Sequence, residues 1–276
     1  MDKQTQFSAQ LEAFHQLHMG TSPLVLVNVW DAASAAVVQA SGSKALATSS
    51  ASLAWSLGYA DGGELPVDAL LFAVANIMRV SKLPVTVDIE DGYSDKPADV
   101  VSLVAELVRL GVVGINIEDG DQSPELLVAK IVAIRASSSC GQVFINARTD
   151  VYLRELAEHG EALDMTKSRL TRYQAAGADC GFIPGIDSEH IASRLRVELT
   201  MPLSFMLAGD HLAVSKRAGT LLKFGVTRFS VGPGSFLGAY STLKRTSKPS
   251  KVSCKDTEQC ECLNYNEMNT LLMCSR

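Results

Sequence analysis

The 276-residue chain has no block of lysine and arginine; 25 basic side chains stand against 30 acidic ones, a formal net charge of −5. Nucleic acid is therefore not an expected partner, because binding it needs a clustered basic surface. No apolar run approaches the ~20 residues that a membrane helix requires, so no membrane association is expected. The opening residues, MDKQTQFSAQLEAFHQLH, lack the basic start and apolar stretch of a secretory signal, so a cytoplasmic chain is expected. The first strand-like run leads into WDAASA, which carries no glycine fingerprint for a dinucleotide. Paired C-x2-C spacing is absent too. Four of the six cysteines, Cys254, Cys260, Cys262 and Cys274, fall in the last 23 residues with no histidine among them. That spacing does not make a zinc site, and reduced thiols are the expectation. Cys140 and Cys180 lie among small or apolar residues and read as buried thiols.

What the chain does have is apolar residues, 47% of the total, with a mean hydropathy of +0.13. That suits a folded enzyme rather than a disordered chain. Eight apolar runs, at 24–30, 44–49, 85–89, 113–118, 143–148, 180–184, 202–206 and 227–231, alternate with longer segments of helical period. The helical segments begin near Ala32, Val67, Ala98, Pro124, Leu163, Ser188, Leu212 and Gly234. Runs with little alternation match strands buried on both faces. Eight strands each followed by a helix predict an α/β fold, a (β/α)8 TIM-type barrel. Residues 3–18 predict an additional N-terminal helix. The barrel domain is expected over 1–245. Residues 246–276 are expected to form a polar, cysteine-containing tail that ends in an apolar helical segment, LNYNEMNTLLMC.

Chemistry in such a barrel sits at the C-terminal ends of the strands, and there acids accumulate. VTVDIEDGYSD packs Asp88, Glu90, Asp91 and Asp95 into eight residues. The second strand runs into a loop holding Ser49, Ser50 and Asp61. The fourth ends at Glu118 and Asp119, and the fifth carries Asn146 and Arg148. Carboxylates gathered on one rim need a cation, and oxygen ligands without thiolates or paired histidines favour magnesium or manganese. Side chains two apart on a strand share a face, so Asp88 and Glu90 are expected to point at the rim together. Of the adjacent Glu118 and Asp119, one is expected to do so. Arg148 has two readings: a bidentate grip on a substrate carboxylate or phosphonate, or an ion pair with Asp150 or Glu118. Asp31 reads as the N-cap of the first barrel helix. His159, His190 and His211 read as surface residues. SVGPGSFLGAY, after the eighth strand, reads as a tight turn rather than a phosphate cradle.

VNVWDAASA, ATSSASLAWSLGYADGG, VTVDIEDGY, GINIEDG, INARTD, AGADCGFIPG and GVTRFSVGPG occur in this order over roughly residues 5 to 245. Together they resemble the isocitrate lyase / phosphoenolpyruvate mutase superfamily. The resemblance implies a barrel with a bound Mg2+ and substrates that are 2-oxo acids, 2-hydroxy acids or phosphonopyruvate. It implies that Asp88 holds the metal directly, with Glu90 and Glu118 as further metal residues, and that Arg148 grips the substrate. It implies that Asp61 stands near the substrate and is the proposed nucleophile in phosphonate-cleaving members. Ser49, Ser50 and Ala51 fall where the family binds the substrate carboxylate, with alanine at 51 in place of a glycine. Family tetramers with an exchanged C-terminal helix imply a homo-oligomer, dimer or tetramer.

One departure narrows the chemistry. Lyase members carry a Lys-x-Cys-Gly-His type lid after the IED motif, and phosphonate members carry one with lysine, threonine and asparagine. Here that stretch reads NIEDGDQSPELLVAKI, short and without cysteine, histidine or asparagine after the motif, so the usual general acid is missing. The expectation is a Mg2+-dependent lyase that cleaves a C–C bond of a 2-oxo or 2-hydroxy carboxylic acid, by decarboxylation or retro-aldol cleavage, through a metal-stabilised pyruvate enolate. The alternatives are a P–C bond hydrolase or phosphonomutase, with Asp61 as nucleophile or base, and a 2-oxo acid binding protein with little turnover.

Overall fold

A computed structural model describes residues 3–247 and 262–273. Nine parallel strand segments form one sheet in the order β1-β9-β8-β7-β6-β5-β4-β3-β2. They are β1 Leu24–Leu26, β2 Asn28–Val29, β3 Leu46–Thr48, β4 Val85–Asp88, β5 Gly114–Glu118, β6 Phe144–Arg148, β7 Cys180–Ile183, β8 Leu203–Met206 and β9 Val226–Ser230. The expected first strand is broken at Val27. Its first half pairs with β9 and its second with β3, so the chain itself closes the ring. The result is the expected (β/α)8 barrel, its first strand counted in two pieces.

The outer core lies between strands and helices. Val85, Val87, Ile115, Ile117 and Ile145 point outward and pack in one cluster with Leu70, Val74 and Ile77 of α4 (Val67–Val80) and Val100, Val104 and Leu107 of α5 (Pro97–Leu110). The alternate strand residues face inward. At the bottom of the barrel α1 (Lys3–Met19) acts as a plug, its buried Phe14 edge-on to Phe144 with ring centroids 5.1 Å apart. Gly114 makes this insertion feasible, since a Cβ there would lie 2.9 Å from the Phe14 ring. The plug packs with Leu24, Leu26, Ala45, Ala47 and Cys180. Above it Arg228 is fully buried and donates to Asn116 Oδ1 at 2.9 Å, which also accepts from Asn146 Nδ2 at 2.9 Å.

Most helix boundaries match the sequence signals. Asp31 caps α2 (Ala32–Ala40) in a reciprocal capping box with Ser34. Ser123 caps α6 (Pro124–Ala136), which opens on proline. The others are α7 (His159–Ala176), α8 (Glu189–Arg196), α9 (His211–Leu221) and α10 (Gly234–Ser247). A short helix, α3 (Ser50–Ser56), stands where the sequence suggests only a loop. The last helix, α11 (Tyr265–Met273), buries Met268, with Leu263 before it, against Ala51, Trp55 and Phe236. Cys140 and Cys180 are buried free thiols and Cys262 is an exposed one; Cys254, Cys260 and Cys274 lie outside the described residues. Among the described residues no helix is long and apolar enough to cross a membrane.

Candidate active site

The strand ends open into a cavity of about 520 Å³, within the range of small-molecule sites. Every residue given a metal or substrate role above lines it, namely Ser49, Ser50, Ala51, Asp61, Asp88, Glu90, Glu118 and Arg148, whereas Asp95 and Asn146 do not. Asn28, Phe182, Met206, Ser230 and Tyr265 complete much of the wall. Among the described side chains no histidine does; His159 and His190 are exposed, and the His211 side chain lies outside the described residues.

Asp88 is the last residue of β4 and is buried. Its Oδ2 accepts the Ser50 N–H at 3.4 Å, and its Oδ1 accepts the Glu90 N–H at 3.3 Å. Ser49 caps α3 through the Ser52 N–H, which sets the Ser50–Ala51 turn against Asp88. Glu90 reaches the cavity by a route other than strand alternation. The strand has already ended, and Glu90 lies in the left-handed region with φ 50°. That conformation is costly for a residue with a Cβ. It is fixed by the turn that follows, where the Gly92 N–H donates to Ile89 O at 2.8 Å. Gly92 itself has φ 96°, and a Cβ on it would lie 2.9 Å from Val100.

Glu118 ends β5 facing the cavity, while the main contacts of Asp119 lie elsewhere. Asp119 is buried and accepts from Tyr173 Oη at 2.6 Å and the Asp150 N–H at 2.9 Å, and it pairs with Arg169 at 2.9 Å. It locks β5 to α7 and the start of the loop after β6. Arg148 pairs with Glu118 at 2.7 Å through Nη1, and with both oxygens of Asp150 through Nε at 2.6 Å and Nη2 at 3.0 Å. A guanidinium has five N–H groups, so one on each Nη remains for a ligand. Asp61 Oδ2 accepts from Tyr265 Oη at 2.7 Å, and its backbone N–H donates to Asn269 Oδ1 at 2.8 Å.

The electrostatics follow from gathering acids out of water. Burial, then the neighbouring Asp61 charge, pushes Glu90 from 4.5 up to about 7. Burial raises Asp88 and raises Glu118 well above the ordinary carboxylate value, in both cases against the pull of Arg148. Burial alone would lower Arg148, but the Glu118 and Asp150 carboxylates outweigh it and hold the guanidinium charged. Among the described residues, no well-aligned hydrogen bond reaches two buried oxygens, Asp61 Oδ1 and Glu90 Oε1.

These features fit a hard cation. The donors are all oxygen, Arg148 offsets only part of their charge, and two of them lack well-aligned partners among the described residues. Among the described residues no three acidic, histidine or cysteine side chains form a finished ligand cage. The donor set suits Mg2+, which keeps several of its waters and uses one or two carboxylates. A pH experiment checks this. Folded Glu90 keeps its proton to about pH 7, whereas an unfolded glutamate releases it near 4.5. Between those values the metal-free fold holds more protons than the unfolded chain, so its stability falls as pH rises. A cation reverses the penalty by favouring the ionised form. In scanning fluorimetry, Mg2+ is expected to raise Tm more at about pH 7.5 than at about pH 5. An equal shift at both would show that these carboxylates do not bind it.

Sequence reasoning missed Arg154, which lines the cavity and pairs with Asp150 at 3.2 Å. It also missed Tyr265 and Asn269, for which no local motif exists. SVGPG is the expected turn, the Gly234 N–H donating to Val231 O at 3.2 Å, and Gly232 and Pro233 reach the cavity rim.

Comparison with known proteins agrees with this geometry. The family model described as phosphoenolpyruvate phosphomutase matches residues 14–250. An uncharacterized Mycobacterium tuberculosis protein is 36% identical over 224 residues, 80% of this chain and 81% of that one. Oxaloacetate decarboxylase 2 of Pseudomonas putida is 30% identical over 166 residues, covering 56% of this chain and 52% of its own length. The 2-methylisocitrate lyase of Aeropyrum pernix is 31% identical over 226 residues, 75% of this chain and 70% of that one. A crystal structure from Burkholderia cenocepacia J2315, provisionally described as a phosphonomutase, superposes with TM-score 0.78 at 35% identity, covering 87% of this chain and 97% of that one. Phosphonopyruvate hydrolase, in its complex with oxalate and Mg2+, shares the fold with TM-score 0.70 at 16% identity, covering 97% of this chain and 96% of that one. The chain belongs to the phosphoenolpyruvate phosphomutase family and is an enzyme.

Proposed function

We propose that this chain is a Mg2+-dependent carbon–carbon lyase acting on a small 2-oxo acid, and that decarboxylation of an oxaloacetate-like acid suits its site best. One observation carries the choice. The loop between β5 and α6 is only residues 119–123 and places no cysteine or histidine over the cavity. Retro-aldol cleavage needs both a base and an acid. Decarboxylation needs a sink for the electron pair of the breaking bond and then one proton from water.

Asp88, Glu90 and Glu118 are the residues that would hold Mg2+. The ion supplies electrostatic stabilisation of negative charge developing on the 2-oxo oxygen. Manganese fits the same oxygen donors. Arg148, with its two remaining N–H groups, holds the C1 carboxylate beside the Ser49–Ala51 turn. The substrate's C4 carboxylate leaves as CO2, the electron pair passes into the C2–C3 bond, and water protonates C3 to give pyruvate. Asp61 supports a second reading, P–C bond cleavage, because its carboxylate lines the same cavity. A small-molecule carboxylate, no nucleic acid, and a homo-oligomeric state belong to the same proposal.

Proton and phosphorus NMR decide between the readings. Pyruvate is expected to form from oxaloacetate at least tenfold faster with protein plus Mg2+ than with Mg2+ alone, a modest demand on an enzyme. Pyruvate from 2-methylisocitrate would replace decarboxylation by retro-aldol cleavage, and phosphate from phosphonopyruvate would favour the second reading. Mg2+-dependent binding with no turnover would make the chain a 2-oxo acid binding protein.

A further inference from the structure

Asp61 sits in an irregular stretch between α3 and α4, followed by Gly62 and Gly63. A carboxylate on such a loop is poorly fixed by its own backbone. In this chain α11 fixes it. The Tyr265 hydroxyl donates to Asp61 Oδ2 at 2.7 Å, and Asn269 Oδ1 accepts the Asp61 backbone N–H at 2.8 Å. The same Asn269 oxygen accepts the Trp55 indole N–H at 3.0 Å, tying α3 into the contact. The Tyr265 ring packs on Trp55, centroids 5.3 Å apart, and forms part of the cavity wall. Lys244 pairs with Glu267 at 3.4 Å and ties the helix to α10. Helix docking alone would need only the apolar contacts of Leu263 and Met268. Two hydrogen bonds on one cavity residue, one to its carboxylate and one from its backbone N–H, go beyond docking. They leave Asp61 Oδ1 buried and without a partner among the described residues.

We propose that α11 is a working part of the active site: Tyr265 and Asn269 are positioning residues that fix Asp61, and Tyr265 walls the cavity. This rests on the reading of the cavity as a 2-oxo acid site. Since the loop after β5 is only residues 119–123, the C-terminal helix takes over part of the enclosure a longer loop would give.

The test uses the full chain. Tyr265→Phe keeps the ring and removes the hydroxyl. It is expected to lower kcat about 10- to 100-fold with KM changed less than about threefold, the pattern of a misplaced group rather than a lost anchor. Asn269→Ala is expected to act in the same direction. In an Asp61→Ala background, Tyr265→Phe is expected to have no further effect, because it acts through Asp61. Independently of turnover, amide exchange over residues 263–273 is expected to slow at least tenfold when Mg2+ and oxalate are added together. If the wild type turns over, kinetics decide. Unchanged kcat in Tyr265→Phe, or an undiminished effect on top of Asp61→Ala, overturns the proposal and leaves the lyase reading standing. If the wild type turns over none of the acids, exchange decides. Slowing supports the role of α11 while the lyase reading falls, and unchanged exchange overturns it.

Discussion

Replacing Asp88 with alanine is expected to lower kcat/KM for oxaloacetate decarboxylation by about 10³-fold or more, the scale seen when a preorganised charge site is removed. The stability consequence runs the other way. Asp88 is buried beside Asp61 and Glu90, and its ionised form is disfavoured there by burial. Removing it relieves repulsion on Glu90, whose own rise to about 7 has the Asp61 and Asp88 charges among its causes. The cost is two backbone donors, on Ser50 and Glu90, that lose their acceptor. They face a cavity that water enters, so the full penalty of a dry unsatisfied group does not apply. The metal-free variant at pH 8 is thus expected to melt within a few degrees of the wild type or above it. The Mg2+-induced rise in Tm is expected to vanish with the activity. Asp88→Asn separates the effects, since it preserves shape and an acceptor but not the charge. Turnover assays and melting curves on both variants check the pair of outcomes. Retained activity in Asp88→Asn would remove Asp88 from the metal site.

The barrel was legible because parallel strands buried on both faces leave continuous apolar runs, and most of the helices that follow carry their own cap or proline. Asp31 and Ser123 are such local signals, and each caps the helix that follows it. The carboxylate rim was legible for a related reason. A strand end is a fixed place in a barrel, so an acid there has few directions to face. What failed was local geometry that depends on a partner distant in the chain. Alternation predicts that Glu90 shares the face of Asp88. It does reach the cavity, but through a left-handed turn that Gly92 and the Val100 side chain shape. Ser50–Ser56 became a helix because Ser49 caps it and Trp55 finds α11 to pack on. Tyr265 lies 204 residues from Asp61 in sequence, and nothing in LNYNEMNTLLM announces a carboxylate partner. Side-chain periodicity carries information about faces; it carries none about which distant loop a tyrosine will meet.

Arg148 offers the other large expected effect, and here stability and function fall together. Its guanidinium serves Glu118 at 2.7 Å and both oxygens of Asp150, whose side chain is 0% exposed. Arg148→Met would leave Glu118 buried without its cation and Asp150 held by Arg154 alone, at 3.2 Å. Breaking such a pair from one side costs about 3–5 kcal/mol, or roughly 10 °C in Tm for a chain of this size. Part of the loss is recoverable by protonation. Without Arg148 the folded-state value of Glu118, already raised by burial, rises further. Protons then bind the folded variant preferentially, so its deficit relative to the wild type shrinks as pH falls. Melting curves of both proteins from about pH 8 down to about pH 5 follow that closure. Arg148→Lys asks the functional question with less damage, because it keeps the charge but gives up the planar fork. One ammonium does not reproduce the bidentate contact with Asp150, the pair with Glu118 and the donors left for a substrate. KM for oxaloacetate is expected to rise about 10- to 100-fold, in line with losing a charge-assisted bidentate contact. A KM unchanged in Arg148→Lys, alongside a lowered Tm, would confine Arg148 to holding Glu118 and Asp150 in place and would move the carboxylate grip to another cavity residue, Arg154 being the other cation on its wall.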